Sequence, residues 1–120
     1  MGLKLRPFKA FSLINCIGGF FMVKIAVLGF GTVGSGVVEV LRKNSQSISR
    51  KAGQIIDIKY ILDIREFPDS PERHLITKDI DTILDDDEVS IVVEVMGGID
   101  PAYSYTKRAL LSGKHVVTSN

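Results

Sequence analysis

The stretch from Val23 to Leu41, VKIAVLGFGTVGSGVVEVL, limits the fold more tightly than any other part of the chain. Val23–Leu28 is a short run, apolar but for Lys24 and rich in β-branched residues, the pattern of a strand buried on both faces. It leads directly into Gly29, Gly31 and Gly34, a complete GxGxxG. Beyond the glycines, Val33, Val37 and Leu41 recur at helical spacing, so the turn opens a helix. Gly29 lets the chain turn sharply off the strand, Gly31 lets a pyrophosphate come close to the main chain, and Gly34 lets the helix sit against the strand. The unpaired N–H groups at the helix start, with the positive end of the helix dipole, suit the phosphates of a dinucleotide.

The remainder alternates strand and helix signals. Asn44–Gly53 is polar and Ser-rich, and predicts the helix end, a loop and at most a short helical continuation. Ile55–Ile64 predicts a second strand, and the two prolines of Phe67–Arg73 predict irregular chain, with His74 at the surface. Lys78–Glu88 predicts a short helix with Ile80, Ile83 and Leu84 on its apolar side and a solvated acidic turn at its end. Ser90–Val95 predicts a buried strand. Asp100 as cap and Pro101 at the first helical position predict a helix to about Ser112, stopped by Gly113. Ala102, Tyr105 and Ala109 would face the sheet, and Lys114–Thr118 begins another strand. Glu94 and His115, inside strands, read as structural residues oriented by local hydrogen bonds.

The fold class predicted is α/β, a Rossmann-like parallel sheet with helices on both faces, incomplete at the C-terminus. Ligands of such sheets bind beyond the C-terminal strand ends. Three of those ends are chemically marked, by Gly29–Gly34, Met96–Gly98 and Thr118–Asn120. A fourth, Asp63-Ile64-Arg65, is the place for ribose recognition. An acidic residue there accepts hydrogen bonds from ribose hydroxyls and favours NAD, whereas an arginine pairs with the 2′-phosphate of NADP. The sequence supplies both, so the choice stays open, as does a simple ion pair at a solvated strand end.

Composition narrows the class. The 120 residues are 45% hydrophobic with a formal net charge of +1, which suits one soluble globular unit and excludes a broadly basic nucleic-acid binder. Lys4, Arg6 and Lys9 precede an apolar run, Phe11 to Val23, that superficially looks like a signal peptide but is too short to span a membrane. Residues 1–21 therefore read as a poorly ordered leader, and residues 22–120 as a partial NAD(P)-binding domain. The stop at Asn120, directly after a strand-like run, reads as a fragment. The single cysteine, Cys16, excludes an internal disulfide framework and fits a reducing cytoplasm. No CxxC or HExxH spacing supports a metal site.

VKIAVLGFGTVGSGVV and IVVEVMGGIDPAYSYTKRALLSGKHVVTSN together resemble the amino-terminal half of the nucleotide-binding domain of the homoserine dehydrogenase family. The glycine turn is shared by many oxidoreductases; the second block is far more specific. The resemblance implies NAD or NADP as cofactor and interconversion of L-homoserine and L-aspartate 4-semialdehyde, a step towards threonine, methionine and isoleucine. It implies that Gly29 and the backbone of Phe30, Gly31, Thr32, Val33 and Gly34 meet the pyrophosphate, and that Met96, Gly97, Gly98, Thr118 and Ser119 flank the nicotinamide. Asp63 and Arg65 depart from a clean NAD or NADP pattern. The family's proton-transfer lysine would follow Asn120 and its acidic substrate residues lie in a downstream domain, so this chain is expected to be inactive alone. The intact enzyme would take a small-molecule substrate and form a homo-oligomer. Two alternatives remain: another Rossmann-fold dehydrogenase or reductase of amino-acid pathways, or a non-catalytic nucleotide-binding module.

Overall fold

The structure, a computed structural model, describes residues 16–17 and 20–119. Its elements are β1 (Cys16–Ile17), β2 (Phe20–Leu28), α1 (Thr32–Lys43), α2 (Ser45–Ala52), β3 (Ile55–Leu62), β4 (Ile76–Thr77), α3 (Ile80–Leu84), β5 (Val89–Glu94), α4 (Ala102–Leu111) and β6 (His115–Thr118). Five strands form a parallel sheet in the order β4-β3-β2-β5-β6, and β1 pairs antiparallel with the start of β2. From β2 the chain winds outward through β3 to one edge and, beginning again at β5, outward to the other. The order reverses between β2 and β5, the switch point where such sheets open a crevice.

The register aligns the strand ends. Leu28 pairs with Leu62 on one side and Glu94 on the other; Leu62 also pairs with Thr77, and Glu94 with Thr118. Five strands thus finish on one row, and every loop leaving that row emerges on the same rim.

Strand alternation supplies two cores. Ala26, Leu28, Leu62, Val89 and Val92 face α3 and α4, whose Ile80, Ile83, Leu84 and Ala109 complete a buried cluster. Val23, Ile25, Val27, Ile58 and Ile61 face α1, which contributes Val38 with Val37 and Leu41 beside it. Helices on both faces follow from right-handed crossovers running in opposite directions from β2.

Several boundaries differ from expectation. β2 begins at Phe20 rather than Val23, so the last residues of the supposed leader belong to a strand, joined by β1; residues 1–15 and 18–19 lie outside the described residues. α2 is a helix where mainly loop was expected, closed by Gly53 in the left-handed region at φ +68°. β3 ends at Leu62, and the two-residue β4 was not foreseen. α3 is only five residues long, capped by Asp79 through the N–H of Asp81. Pro101, not Asp100, holds the cap position of α4, and no side chain caps that helix. Gly113 stops it as expected, at φ +81°. Val33 is exposed, and the buried stripe of α1 runs through Gly34 and Val38 instead.

A Cβ at Gly34 would lie 1.8 Å from the carbonyl oxygen of Gly29, whereas one at Gly36 meets nothing within 4 Å. Gly34→Ala is therefore expected to destabilise the fold by about 3 kcal/mol or more through overpacking against backbone. Gly36→Ala, in the same helix, should stabilise it by about 0.5–1 kcal/mol. Urea denaturation of both variants checks the contrast.

Candidate functional site

A pocket of about 290 Å³ opens at the rim above β2, β3 and β5. It is lined by Gly29, Phe30 and Gly31 from the glycine turn, Asp63 and Arg65 from the end of β3, and Met96 and Gly97 from the end of β5. Three segments far apart in sequence meet there because their strands end on one row.

The glycine turn is shaped by contacts on both sides. Gly29 adopts φ +102°, and a Cβ there would sit 3.3 Å from the Met96 backbone nitrogen and the Val95 carbonyl oxygen. Its N–H donates to the Leu62 carbonyl at 2.8 Å, while the Val95 N–H donates to the Leu28 carbonyl at 3.0 Å, so the ladder continues past the strand ends. Gly31 differs. Its φ of −82° is open to any residue, and a Cβ would meet only Nη2 of Arg65, at 3.8 Å. The fold does not require a glycine at 31, whereas a ligand brought close to the backbone there would. No side chain caps α1, and among the described residues the N–H groups of Gly31, Thr32 and Val33 have no hydrogen-bond acceptor. These features fit a phosphate-bearing ligand.

Phe30 corrects the expectation of an unbroken run of free amides. Its N–H donates to Oδ2 of Asp63 at 2.9 Å. The same carboxylate accepts from the N–H of Arg65 at 2.9 Å and from Nε at 3.0 Å on Oδ1, and from Nη2 at 2.9 Å on Oδ2. Each oxygen accepts two hydrogen bonds, and Asp63 is only 8% exposed. The carboxylate is thus fully engaged inside the protein, and its acceptor capacity is spent on the turn and on Arg65. The guanidinium of Arg65, helped by the N–H groups of Arg65 and Phe30 and opposed by burial, holds the Asp63 carboxyl down at about 2.

Arg65 keeps 60% of its side chain exposed while its position is fixed from two directions. The carboxylate grips one edge of the guanidinium, and the Phe67 ring lies 5.2 Å from its central carbon. Phe67 also meets Phe30 edge-on, with ring centroids 5.1 Å apart. Lys78, from the loop after β4, lines the same pocket and pairs with Glu66 at 2.8 Å.

The other expected residues are distributed differently. Gly34 is buried under the turn, and Val33 is exposed on α1. Thr32 begins the helix. Gly98, at φ +83°, and Thr118 line a second hollow of about 300 Å³ towards β6 with Glu94. The Ser119 N–H donates to the Glu94 carbonyl at 3.1 Å. Lys78, Phe67, Tyr105 and Pro101 also lie at this pocket or against its residues, and the sequence had not marked them as site residues. Lys78 arrives through the β3–β4 pairing, for which the sequence carries no distinct signal.

The sequence model of the family described as homoserine dehydrogenase, NAD binding domain, matches residues 29–120. The chain belongs to that family. The homoserine dehydrogenase of Synechocystis sp. is 40% identical over 101 residues, and that of Bacillus subtilis 33% over 102. Each alignment covers 82% of this chain but 23% of the relative, so the chain spans about a quarter of these homoserine dehydrogenases. The crystal structure of S. aureus homoserine dehydrogenase at pH 7.0 superimposes with a TM-score of 0.75 at 41% identity, covering 84% of this chain and 26% of that one. Membership in an NAD-binding domain family identifies NAD or NADP as the class of cofactor. Among the described residues no helix is long and apolar enough to cross a membrane, and no cluster of His, Cys, Asp or Glu is arranged to hold a metal ion.

Two outcomes test this geometry. Gly31→Ala should change stability by less than about 1 kcal/mol, since its Cβ would meet only Nη2 of Arg65, at 3.8 Å, yet lower dinucleotide affinity by more than about ten-fold; melting curves and calorimetric titration separate the effects. Asp63 has a folded-state pKa below its unfolded one, so its contribution is present above about pH 4 and is lost as pH falls towards 2. Asp63→Asn should flatten the stability profile across that window by about 1–2 kcal/mol, allowing for solvent screening of the exposed partner. Denaturation midpoints measured between pH 2 and 5 check it.

Proposed function

We propose that this chain is the cofactor-holding part of an NADP-preferring homoserine dehydrogenase. The observation that carries the reading is the rim pocket, where a glycine turn with unpaired amides faces a fixed, exposed arginine. The bound cofactor would supply the redox chemistry, with hydride passing from NADPH to the aldehyde carbon of L-aspartate 4-semialdehyde or from the alcohol carbon of L-homoserine to NADP+. The chain's own residues bind and orient. Amides of Gly31, Thr32 and Val33 at the start of α1 hold the pyrophosphate. Arg65, with Lys78 beside it, meets the 2′-phosphate of the adenosine ribose. Met96, Gly97, Gly98, Thr118 and Ser119 flank the nicotinamide.

The preference for NADP rests on Asp63. A carboxylate reading ribose hydroxyls needs open lone pairs, and all of those on Asp63 are taken by Phe30 and Arg65. Arg65, pre-positioned by Asp63 and Phe67, offers its remaining N–H groups to a phosphate with little ordering cost.

With about a quarter of the relatives' length present, substrate binding and proton transfer are assigned to parts of the enzyme outside this chain. The same reading places the protein in the cytoplasm, as part of a homo-oligomer acting on small molecules. The near-neutral charge supports a partner other than nucleic acid.

Calorimetric titration should show NADPH binding at least about ten-fold more tightly than NADH. Arg65→Ala should remove most of that difference by weakening NADPH alone. Equal affinities in the unaltered chain would overturn the NADP preference, and binding of neither nucleotide would overturn the cofactor-holding reading.

A further inference from the structure

We propose that Glu94 is a positioning residue that holds the nicotinamide side of the site in shape, an inference that rests on the cofactor reading above. Glu94 ends β5 and is 1% exposed, in a strand otherwise composed of Val, Ile and one Ser. Burying a carboxylate is unfavourable unless it is well hydrogen-bonded, so its bonds indicate what it does. Oε1 accepts from the Met96 N–H at 2.7 Å, and Oε2 accepts from the Thr118 hydroxyl at 2.6 Å. Its backbone carbonyl accepts from the Ser119 N–H at 3.1 Å. One residue therefore joins the turn after β5 to the segment after β6.

Those two segments lie on the opposite side of the switch point from Asp63 and Arg65. A dinucleotide bound across a doubly wound sheet places its two halves on the two sides of that point. With adenosine on the β3 side, the nicotinamide half falls on the β5–β6 side, over the turn that Glu94 fixes. Met96 and Gly97 line the first pocket and Gly98 the second, so this turn forms the wall between them. A backbone amide and a hydroxyl from separate strands are held by charge-assisted bonds, and such bonds confer geometry as well as energy. Glu94 acts on the cofactor through Met96 and Thr118 rather than by touching it.

The test compares two ligands on the full 120-residue chain: NADPH, and 2′-phospho-ADP-ribose, which lacks the nicotinamide. In the unaltered chain NADPH should bind more tightly and the emission of its reduced nicotinamide should change on binding. Glu94→Leu should weaken NADPH by about ten-fold and abolish the emission change, while 2′-phospho-ADP-ribose moves by less than about two-fold. Glu94→Gln should recover most of the loss, because its amide can accept from Met96 and donate to the Thr118 oxygen. Circular dichroism checks that each variant is folded. Should Glu94→Leu fail to fold, Thr118→Val removes the other end of the bridge and carries the same expectation. Equal weakening of both ligands, or no weakening of NADPH, overturns the inference, as does equal affinity for the two ligands in the unaltered chain. Binding of neither ligand by the unaltered chain overturns the cofactor reading itself.

Discussion

The contact between Gly34 and the carbonyl of Gly29 sets the position of everything at the rim. Closing the turn this tightly brings the first residues of α1 against the end of β2, at a separation that leaves no room for a Cβ. That approach fixes where the amides of Gly31, Thr32 and Val33 lie relative to the strand ends, and so where a phosphate can be held. It also presents the Phe30 N–H to Asp63 and the Gly29 N–H to the Leu62 carbonyl. A looser turn would separate the helix dipole from the crevice and leave Asp63 with an open acceptor. The arrangement of Arg65 is thus a consequence of backbone geometry more than thirty positions earlier in the chain.

Elements whose residues share one strong pattern were legible. Val23–Leu28 of β2 and the strand β5 are mainly apolar runs with buried residues on both faces, and α4 buries Ala102 and Ala109 where its spacing required. What was missed lacked such a pattern. α2 buries no residue, so no apolar stripe announces it; its helix is short and polar, closed by a glycine. β4 is two residues paired at an edge, below the length at which alternation can be seen. Val33 has helical spacing with Val37 and Leu41, but the tight turn directs Gly34 and Val38 inward instead, and tertiary packing overrode the periodicity. β2 starts earlier than its valine-rich part because β1 pairs with Phe20 and Phe21.

The candidate site shows the same division. The glycines could be read because each meets a backbone constraint that only its residue type satisfies. Asp63 and Arg65 could be located at a strand end, but their roles depend on which groups engage the carboxylate, and sequence does not state that. The structure engages all of it, and the acidic residue that would have signalled NAD becomes a support for a cation. Glu94 was read as a structural strand residue oriented by local hydrogen bonds; its bond from the Met96 N–H is local, but the other comes from Thr118, 24 positions away. What spacing could not supply is that those bonds join two separate strand ends.

Charge explains why Asp63 and Arg65 act as a unit. A buried carboxylate beside the glycine turn would on its own repel a polyanionic ligand, and low local dielectric would strengthen that repulsion. Phe30 and Arg65 compensate it: the N–H supplies a dipole and the guanidinium a full opposite charge. The pair is neutral overall but polarised, with its cationic end exposed and its anionic end buried beneath the turn. A ligand phosphate approaching the rim therefore meets Arg65 first and Asp63 hardly at all. Losing Arg65 would do more than delete one contact, because it would leave the buried Asp63 carboxylate uncompensated beneath the glycine turn. On the proposed reading, a carboxylate is tolerated near a bound phosphate because it orients the arginine that neutralises it.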